Sequence, residues 1–311
     1  MRRFKSILYF ADGMTVSGAA LERAVDLARR NQARLTLIDV IEAQDSPPGI
    51  EQQFGLDLNG LLQERRRDDL ERLIAPFEER DKLVSTRVIS GTPFVEVIRA
   101  VLQNGYDLVV KPARPPQGLS GRLLGSTDMH LLRKCPCPMW IERQTAYTPY
   151  RQVLAAVDPV EPTRAGCARL VMDLATSLAE QEGAKPSVVH AWRMYGESIL
   201  SEGRARLTQS DLEQLVDQTR FHHEESLDLL LSAYDMNRES PGVHLIKGEP
   251  APSIRAVAER TDADLIVMGT VGRTGIPGFF IGNTAEEVLQ TAAASILAVK
   301  PEGFVSPVTA N

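Results

Sequence analysis

An internal repeat restricts the architecture of this 311-residue chain more than any other feature. The apolar run that ends at Asp12 resembles the one that ends at Asp158, and each leads through a turn-like stretch into a helical pattern. Further on, Ile89-Ser90-Gly91-Thr92-Pro93 matches Ile246-Lys247-Gly248-Glu249-Pro250. Tyr106-Asp107-Leu108-Val109-Val110 matches Ala263-Asp264-Leu265-Ile266-Val267, and Gly125-Ser126-Thr127 matches Gly282-Asn283-Thr284. These three pairs share one offset, so the copies align without a gap from residue 89 to about 141. The chain therefore divides into two copies of one domain, residues 1–146 and 147–311.

Within each copy, short apolar runs alternate with helix-period segments. Strands are expected over 6–11, 34–40, 83–89, 106–111 and 138–142, then over 152–157, 187–192, 242–247, 263–268 and 295–299. Gly18 to Arg30 places Ala19, Ala20, Ala24, Leu27 and Ala28 along one helical face. Residues 61–80 and 209–234 read as charged amphipathic helices, and Pro93 and Pro250 suit first helical turns. Five nearly continuous apolar strands with helices between them predict an α/β domain with a parallel sheet covered on both faces. Right-handed crossovers make each copy doubly wound, with ligands at the carboxyl ends of the strands. The places to look are just after Asp12, Asp158, Lys111 and Met268.

Composition narrows the function. A net charge of −6 argues against a broad nucleic-acid surface, and no direct nucleic-acid partner is expected. No apolar run approaches the roughly 20 residues of a membrane span. The basic start and short apolar run at 4–10 read as a first strand rather than a signal peptide, which gives a soluble, cytoplasmic expectation. Three cysteines are too few for a disulfide framework. Cys135-Pro136-Cys137 alone lacks the four ligands of a structural zinc site, so small apolar residues at a helix end are the expectation there.

The second copy carries a glycine-rich stretch after its fourth strand, from Met268-Gly269 through Gly272-Arg273-Thr274-Gly275 to Gly282-Asn283-Thr284. Successive backbone N–H groups followed by a helix N-terminus make an anion site. Asn283 is expected to cap that helix, with Glu286 completing a capping box. No lysine precedes Asn283-Thr284, so this is not a P-loop, and G-x-G-x-x-G is absent too. On spacing alone the stretch is either a phosphate cradle or a connector.

Gly269-x2-Gly272-x9-Gly282 followed by Asn283-Thr284 resembles the nucleotide-binding signature of the universal stress protein family, which places Ser or Thr after the last glycine. The aspartate ending strand one, the glycine-x-proline after strand three and Cys135-Pro136-Cys137-Pro138 are similar to that family as well. The double layout resembles its E-type tandem members. The resemblance implies an adenine nucleotide alpha hydrolase-like fold and an adenine-nucleotide site in the second copy, with ATP the usual ligand. Carried across by position, Val157 and Asp158 lie beside the adenosine and Val189 lines the base. Met268 and Gly269 approach ribose and phosphates, while Gly272, Gly282, Asn283 and Thr284 cradle the phosphates and Arg273 adds positive charge. Asn283 departs from the family's hydroxyl residue, and Thr284 is the available substitute.

In the first copy, Pro112 replaces Gly269 and Pro115 replaces Gly272. Proline has no N–H and cannot reach positive φ, so that cradle is degenerate. No catalytic residues are assigned: the histidines form no metal pair at i and i+4, and Asp12 and Asp158 stand singly. His222 and His223 are expected on a solvated helix face, and His190 is expected to be structural. Ser46 to Gly60 and Tyr195 to Thr208 are extra segments near the strand ends. The resulting expectation is a stress-response protein of regulatory, non-enzymatic role. The copies would form an intramolecular pseudo-dimer, and homo-oligomers are compatible with it. The competing expectation is a nucleotide-independent scaffold, or a carrier of an apolar small molecule or lipid at the inter-repeat surface.

Overall fold

In the computed structural model, the described residues are all but 1–3, 14–17, 43–54, 56, 79–83, 114–123, 161, 203–206, 271–280 and 311, with the side chains of 162–165 also outside the description. Five strands come from the first half of the chain: β1 Ser6–Phe10, β2 Arg34–Ile41, β3 Val84–Ser90, β4 Leu108–Pro112 and β5 Met139–Glu142. The second half supplies β6 Gln152–Ala156, β7 Lys185–Trp192, β8 Val243–Lys247, β9 Leu265–Gly269 and β10 Ser295–Val299. All ten lie within two residues of the positions expected from their apolar runs.

The strands form one sheet in the order β3-β2-β1-β4-β5-β10-β9-β6-β7-β8. Every pairing within a half is parallel, and the two halves meet through an antiparallel β5–β10 pair that sets Trp140 opposite Leu297. Each half thus has the order 3-2-1-4-5, in which the chain reverses direction across the sheet between its first and fourth strands. That reversal opens a crevice at the strand ends, between β1 and β4 in one half and between β6 and β9 in the other.

Parallel strands need long crossovers, and helices supply them on both faces. One face carries α1 Gly18–Asn31, α2 Leu58–Glu78, α5 Pro162–Glu182 and α7 Gln209–Leu231. The other carries α3 Pro93–Asn104, α4 Ser126–Lys134, α8 Pro250–Arg260 and α9 Asn283–Thr291. A short α6, Glu197–Ser201, lies in the segment before α7. Alternate strand residues feed the two cores: Ile7 and Tyr9 pack toward α1, while Leu8 and Phe10 pack toward α3. Each core runs across both halves of the sheet.

A buried polar cluster fastens the halves behind the β5–β10 seam. Arg23 on α1, 3% exposed, places Nε 2.5 Å from Glu142 Oε2 and Nη1 3.4 Å from Glu182 Oε2 on α5. Arg23 Nη2 also donates to the Thr148 carbonyl at 2.7 Å, and its guanidinium stacks 3.6 Å from the Tyr150 ring centroid. Glu142 further accepts from the Tyr150 hydroxyl at 2.6 Å and the Ser295 hydroxyl at 2.5 Å. Burial together with the Glu142 charge pushes the Tyr150 hydroxyl well above its ordinary range, which keeps it a proton donor. Four segments distant in sequence converge on one cation and two carboxylates.

Candidate functional site

In the second half, the crevice sits where β6 and β9 run in register, Ala156 opposite Met268. Val157 and Asp158 follow β6 directly. The Val157 N–H donates to the Val189 carbonyl at 3.0 Å, and the Val157 carbonyl meets His190 Nδ1 at 3.0 Å. His190 Nε2 in turn lies 2.8 Å from His223 Nδ1 on α7. The two backbone contacts hold the turn that presents Asp158, which is half-buried.

Val189 sits differently from its expected place at a strand end. β7 continues through Trp192, so Val189 lies inside the strand; its side chain is in the core and its carbonyl reaches the site. His223 also departs from the expected solvated face. It is buried against His190, whereas its neighbour His222 is exposed, as the 100° step between adjacent helical residues requires.

Across the crevice, Met268 is core-facing and Gly269 ends β9. A Cβ on Gly269 would stand 2.9 Å from Cys167 Sγ, so glycine is needed here for the close approach of α5 to the strand end. Thr270 then turns back on the sheet, donating both N–H (3.0 Å) and Oγ1–H (3.1 Å) to the Val299 carbonyl. Its own carbonyl accepts from the Gly282 N–H at 2.8 Å, which closes the neck of the glycine-rich loop. Gly272 and Arg273 lie outside the described residues.

Gly282 is the N-cap of α9, and Asn283 is its first helical residue. The expected capping box is therefore shifted by one and does not form: Glu286 falls one position too far along and accepts from Arg133 Nη2 at 3.3 Å. The backbone N–H groups of Asn283, Thr284 and Ala285 occupy the first turn, where a helix supplies no acceptor of its own. They point their partial positive charge out at the strand ends. Asn283 is exposed and Thr284 half-buried, which leaves the Thr284 hydroxyl beside these amides.

The first half holds something else at the equivalent place. Lys111, fully buried at the end of β4, places Nζ 2.9 Å from Asp12 Oδ2 and also pairs with Asp128 Oδ1. Asp128 is on the first turn of α4, where its Oδ2 accepts from the Gly125 N–H at 3.0 Å. By the repeat alignment, Asp12 corresponds to Asp158, Lys111 to Met268 and Asp128 to Ala285. One copy thus fills its crevice with a lysine between two carboxylates, one of them seated on the helix N-terminus. The other copy has a methionine and an alanine there. The basic character of the region was visible in the sequence, but this triad was not read from it; a lysine inside Leu108-Val109-Val110-Lys111 was the available signal, because an apolar strand buries a charge only with partners.

Among the described residues, no cluster of three or more His, Cys, Asp or Glu could hold a metal ion. No described helix is long and apolar enough to cross a membrane. The inserted segment before α7 exposes Tyr195 (93%) and Ile199 (58%), while most of the insertion at 46–60 lies outside the described residues.

Comparison with known proteins agrees with the geometry. The sequence model of the universal stress protein family matches residues 3–143 and again 149–300. Universal stress protein E of Escherichia coli K12 is 32% identical over 219 residues, which span 70% of this chain and 67% of that protein. Universal stress protein E of Photorhabdus laumondii is 24% identical over 316 residues, covering all of this chain and 99% of that one. Among solved structures, a protein of unknown function from Pseudomonas aeruginosa PAO1 superimposes with a TM-score of 0.70 at 26% identity, over 97% of this chain and 95% of its own. A protein from Pseudomonas aeruginosa UCBPP-PA14 reaches 0.75 at 24% identity with the same coverage, a likeness of fold. With the family's sequence pattern present twice on a sheet of the matching architecture, the chain belongs to the universal stress protein family and is a tandem member of it.

Proposed function

We propose that this is a regulatory stress-response protein whose second domain, within residues 147–311, binds an adenine nucleotide, ATP being the ligand the family resemblance implies. Val157 and Asp158 flank the adenosine, with Val189 behind the base. Met268 and Gly269 face ribose and phosphates, and Gly272, Arg273, Gly282, Asn283 and Thr284 surround the phosphates. The first domain, residues 1–146, binds none. The two domains pair as an intramolecular pseudo-dimer, a reading supported by the β5–β10 pair and the Arg23 cluster. The role is non-enzymatic.

The observation that carries this reading is the contrast between the copies. In the first, Asp128 provides a resident anion on the helix N-terminus and Lys111 neutralises it. In the second, Ala285 brings no carboxylate to the start of α9 and Met268 brings no ammonium to the end of β9, while the Gly282 N–H, counterpart of Gly125, donates to the Thr270 carbonyl. A phosphate is then the anion that the first-turn amides of α9 and the glycine-rich stretch would receive. Titration of a fluorescent adenine nucleotide tests this. Asp158→Ala and Gly272→Pro are expected to weaken binding by about tenfold or more, with the fold intact by circular dichroism. Unchanged affinity in both variants overturns the assignment.

A further inference from the structure

One cluster outside the nucleotide crevice remains unexplained by it. Cys135 caps the C-terminus of α4, with its N–H on the Leu131 carbonyl at 2.8 Å. The bend through Pro136 brings Cys137 back so that the two Sγ atoms stand 3.6 Å apart. The same helix end binds Lys300, which follows β10 in the other half of the sheet. Lys300 Nζ donates to the Leu132 carbonyl at 2.6 Å and to the Arg133 carbonyl at 3.3 Å, and the residue is only 7% exposed. Core packing alone accounts for two small apolar side chains in a helix-to-strand bend. Lys300 satisfies the last carbonyls of α4, and in doing so it brings a buried ammonium to the helix end that carries Cys135.

From this arrangement we infer that Cys135 and Cys137 form a reactive dithiol, oxidised by small hydroperoxides to an intramolecular disulfide. Position assigns the roles: Cys135 closes the helix end whose Leu132 and Arg133 carbonyls hold Lys300, whereas Cys137 lies beyond the Pro136 bend. The sulfur–sulfur contact with Cys137 pulls the Cys135 thiol down from its ordinary range against the opposing effect of burial, and Lys300 acts in the same direction. Cys137 is pushed well above that range by the same contact and by burial. Burial draws Lys300 down to about 8, while Cys135 and Cys167 hold it up, so near pH 7 it is mostly an ammonium. Cys135 is the attacking thiolate, Cys137 is the resolving thiol, and Lys300 is a positioning residue.

In the first step the Cys135 sulfur attacks one peroxide oxygen and the O–O bond breaks. The departing oxygen leaves as water after taking up a proton, and Cys135 becomes a sulfenic acid. In the second step the Cys137 sulfur attacks Cys135 Sγ, the S–O bond breaks, and the hydroxyl leaves as a second water with the Cys137 thiol proton. The two cysteines lose two electrons and the peroxide gains them. Cys135 is fully covered and Cys137 is 8% exposed, which limits the oxidant to a small one such as hydrogen peroxide. The 3.6 Å separation leaves the sulfurs a short closure to bonding distance.

The test uses the full reduced chain, exposed to hydrogen peroxide and then alkylated under denaturing conditions for mass spectrometry. The expected product has lost two hydrogen atoms, maps to the peptide holding residues 135–137, and is restored by dithiothreitol. Cys137→Ser is expected to stop at a sulfenic acid on Cys135 that dimedone captures. Lys300→Met is expected to slow oxidation by about tenfold and move its pH profile upward, with Lys300→Arg restoring the rate. The inference is overturned if Cys167 oxidises while Cys135 and Cys137 keep both thiols, or if Lys300→Met leaves the rate and its pH profile unchanged.

Discussion

Replacing Lys111 tests whether the first copy is held closed by its own charges. Lys111 and Asp128 are 0% exposed and Asp12 is 6% exposed, so removing the ammonium strands two carboxylates out of water. Breaking a buried ion pair in this way costs about 3–5 kcal/mol, and Lys111→Met preserves most of the side-chain volume, so the loss is electrostatic. Asp128→Ala leaves the Lys111–Asp12 pair standing and removes one charged partner and one helix cap, for about 2 kcal/mol. If the sites were independent, the double variant would lose about 5–7 kcal/mol. Instead it recreates the second copy's Met268 and Ala285 and leaves one carboxylate rather than two, so a loss of about 3 kcal/mol is expected, a coupling of about 2–4 kcal/mol. Urea unfolding reads this domain through Trp140 in a Trp192→Phe background, because those are the chain's two tryptophans. A Lys111→Met cost below about 1 kcal/mol, or strict additivity in the double variant, refutes the reasoning.

Three further outcomes follow from particular contacts. Burial draws the Lys300 ammonium down to about 8 in the folded chain from its ordinary 10.5, so between those values the unfolded chain binds more protons. Its destabilising effect is complete below pH 8 and is relieved as pH rises toward 10.5; stability measured from pH 8 to 9.5 is expected to climb less steeply in Lys300→Met than in the wild type. Gly269→Ala presses a methyl against Cys167 Sγ, costing about 1–3 kcal/mol, and Cys167→Ala in the same chain is expected to recover most of it in a thermal melt. Arg23→Met leaves Glu142 and Glu182 without their shared cation, so a loss of about 3–5 kcal/mol is expected by chemical denaturation, along with earlier proteolysis in the 143–151 connection.

The strands were legible because most are short apolar runs between turn residues, buried on both faces, and the repeat fixed their correspondence; the edge strands β3 and β8 are only partly buried. At β7 the strand starts two residues early, where Lys185 and Pro186 are exposed yet still pair with Gln152 and Val153. No apolar pattern announces an exposed strand start. The antiparallel meeting of β5 with β10 was not legible, since edge strands carry no mark of which other edge they will join. The cap at Gly282 was misread by one residue because Asn283 is the better side-chain cap; the Gly282 N–H is committed to Thr270, and the helix starts one residue later. His223 and Lys111 were misjudged or overlooked for one common reason: their partners, His190 and Asp12, are 33 and 99 residues away, beyond any local pattern.

The central claim is that one domain holds a nucleotide and the other holds its own lysine in the equivalent place. Adenine nucleotide released on denaturing ATP-saturated, desalted protein, counted per chain by chromatography, tests this most directly. One per chain is the predicted result. Two per chain would mean that Lys111, Pro112 and Pro115 do not close the first site, and none would mean that the second-copy crevice does not retain the nucleotide.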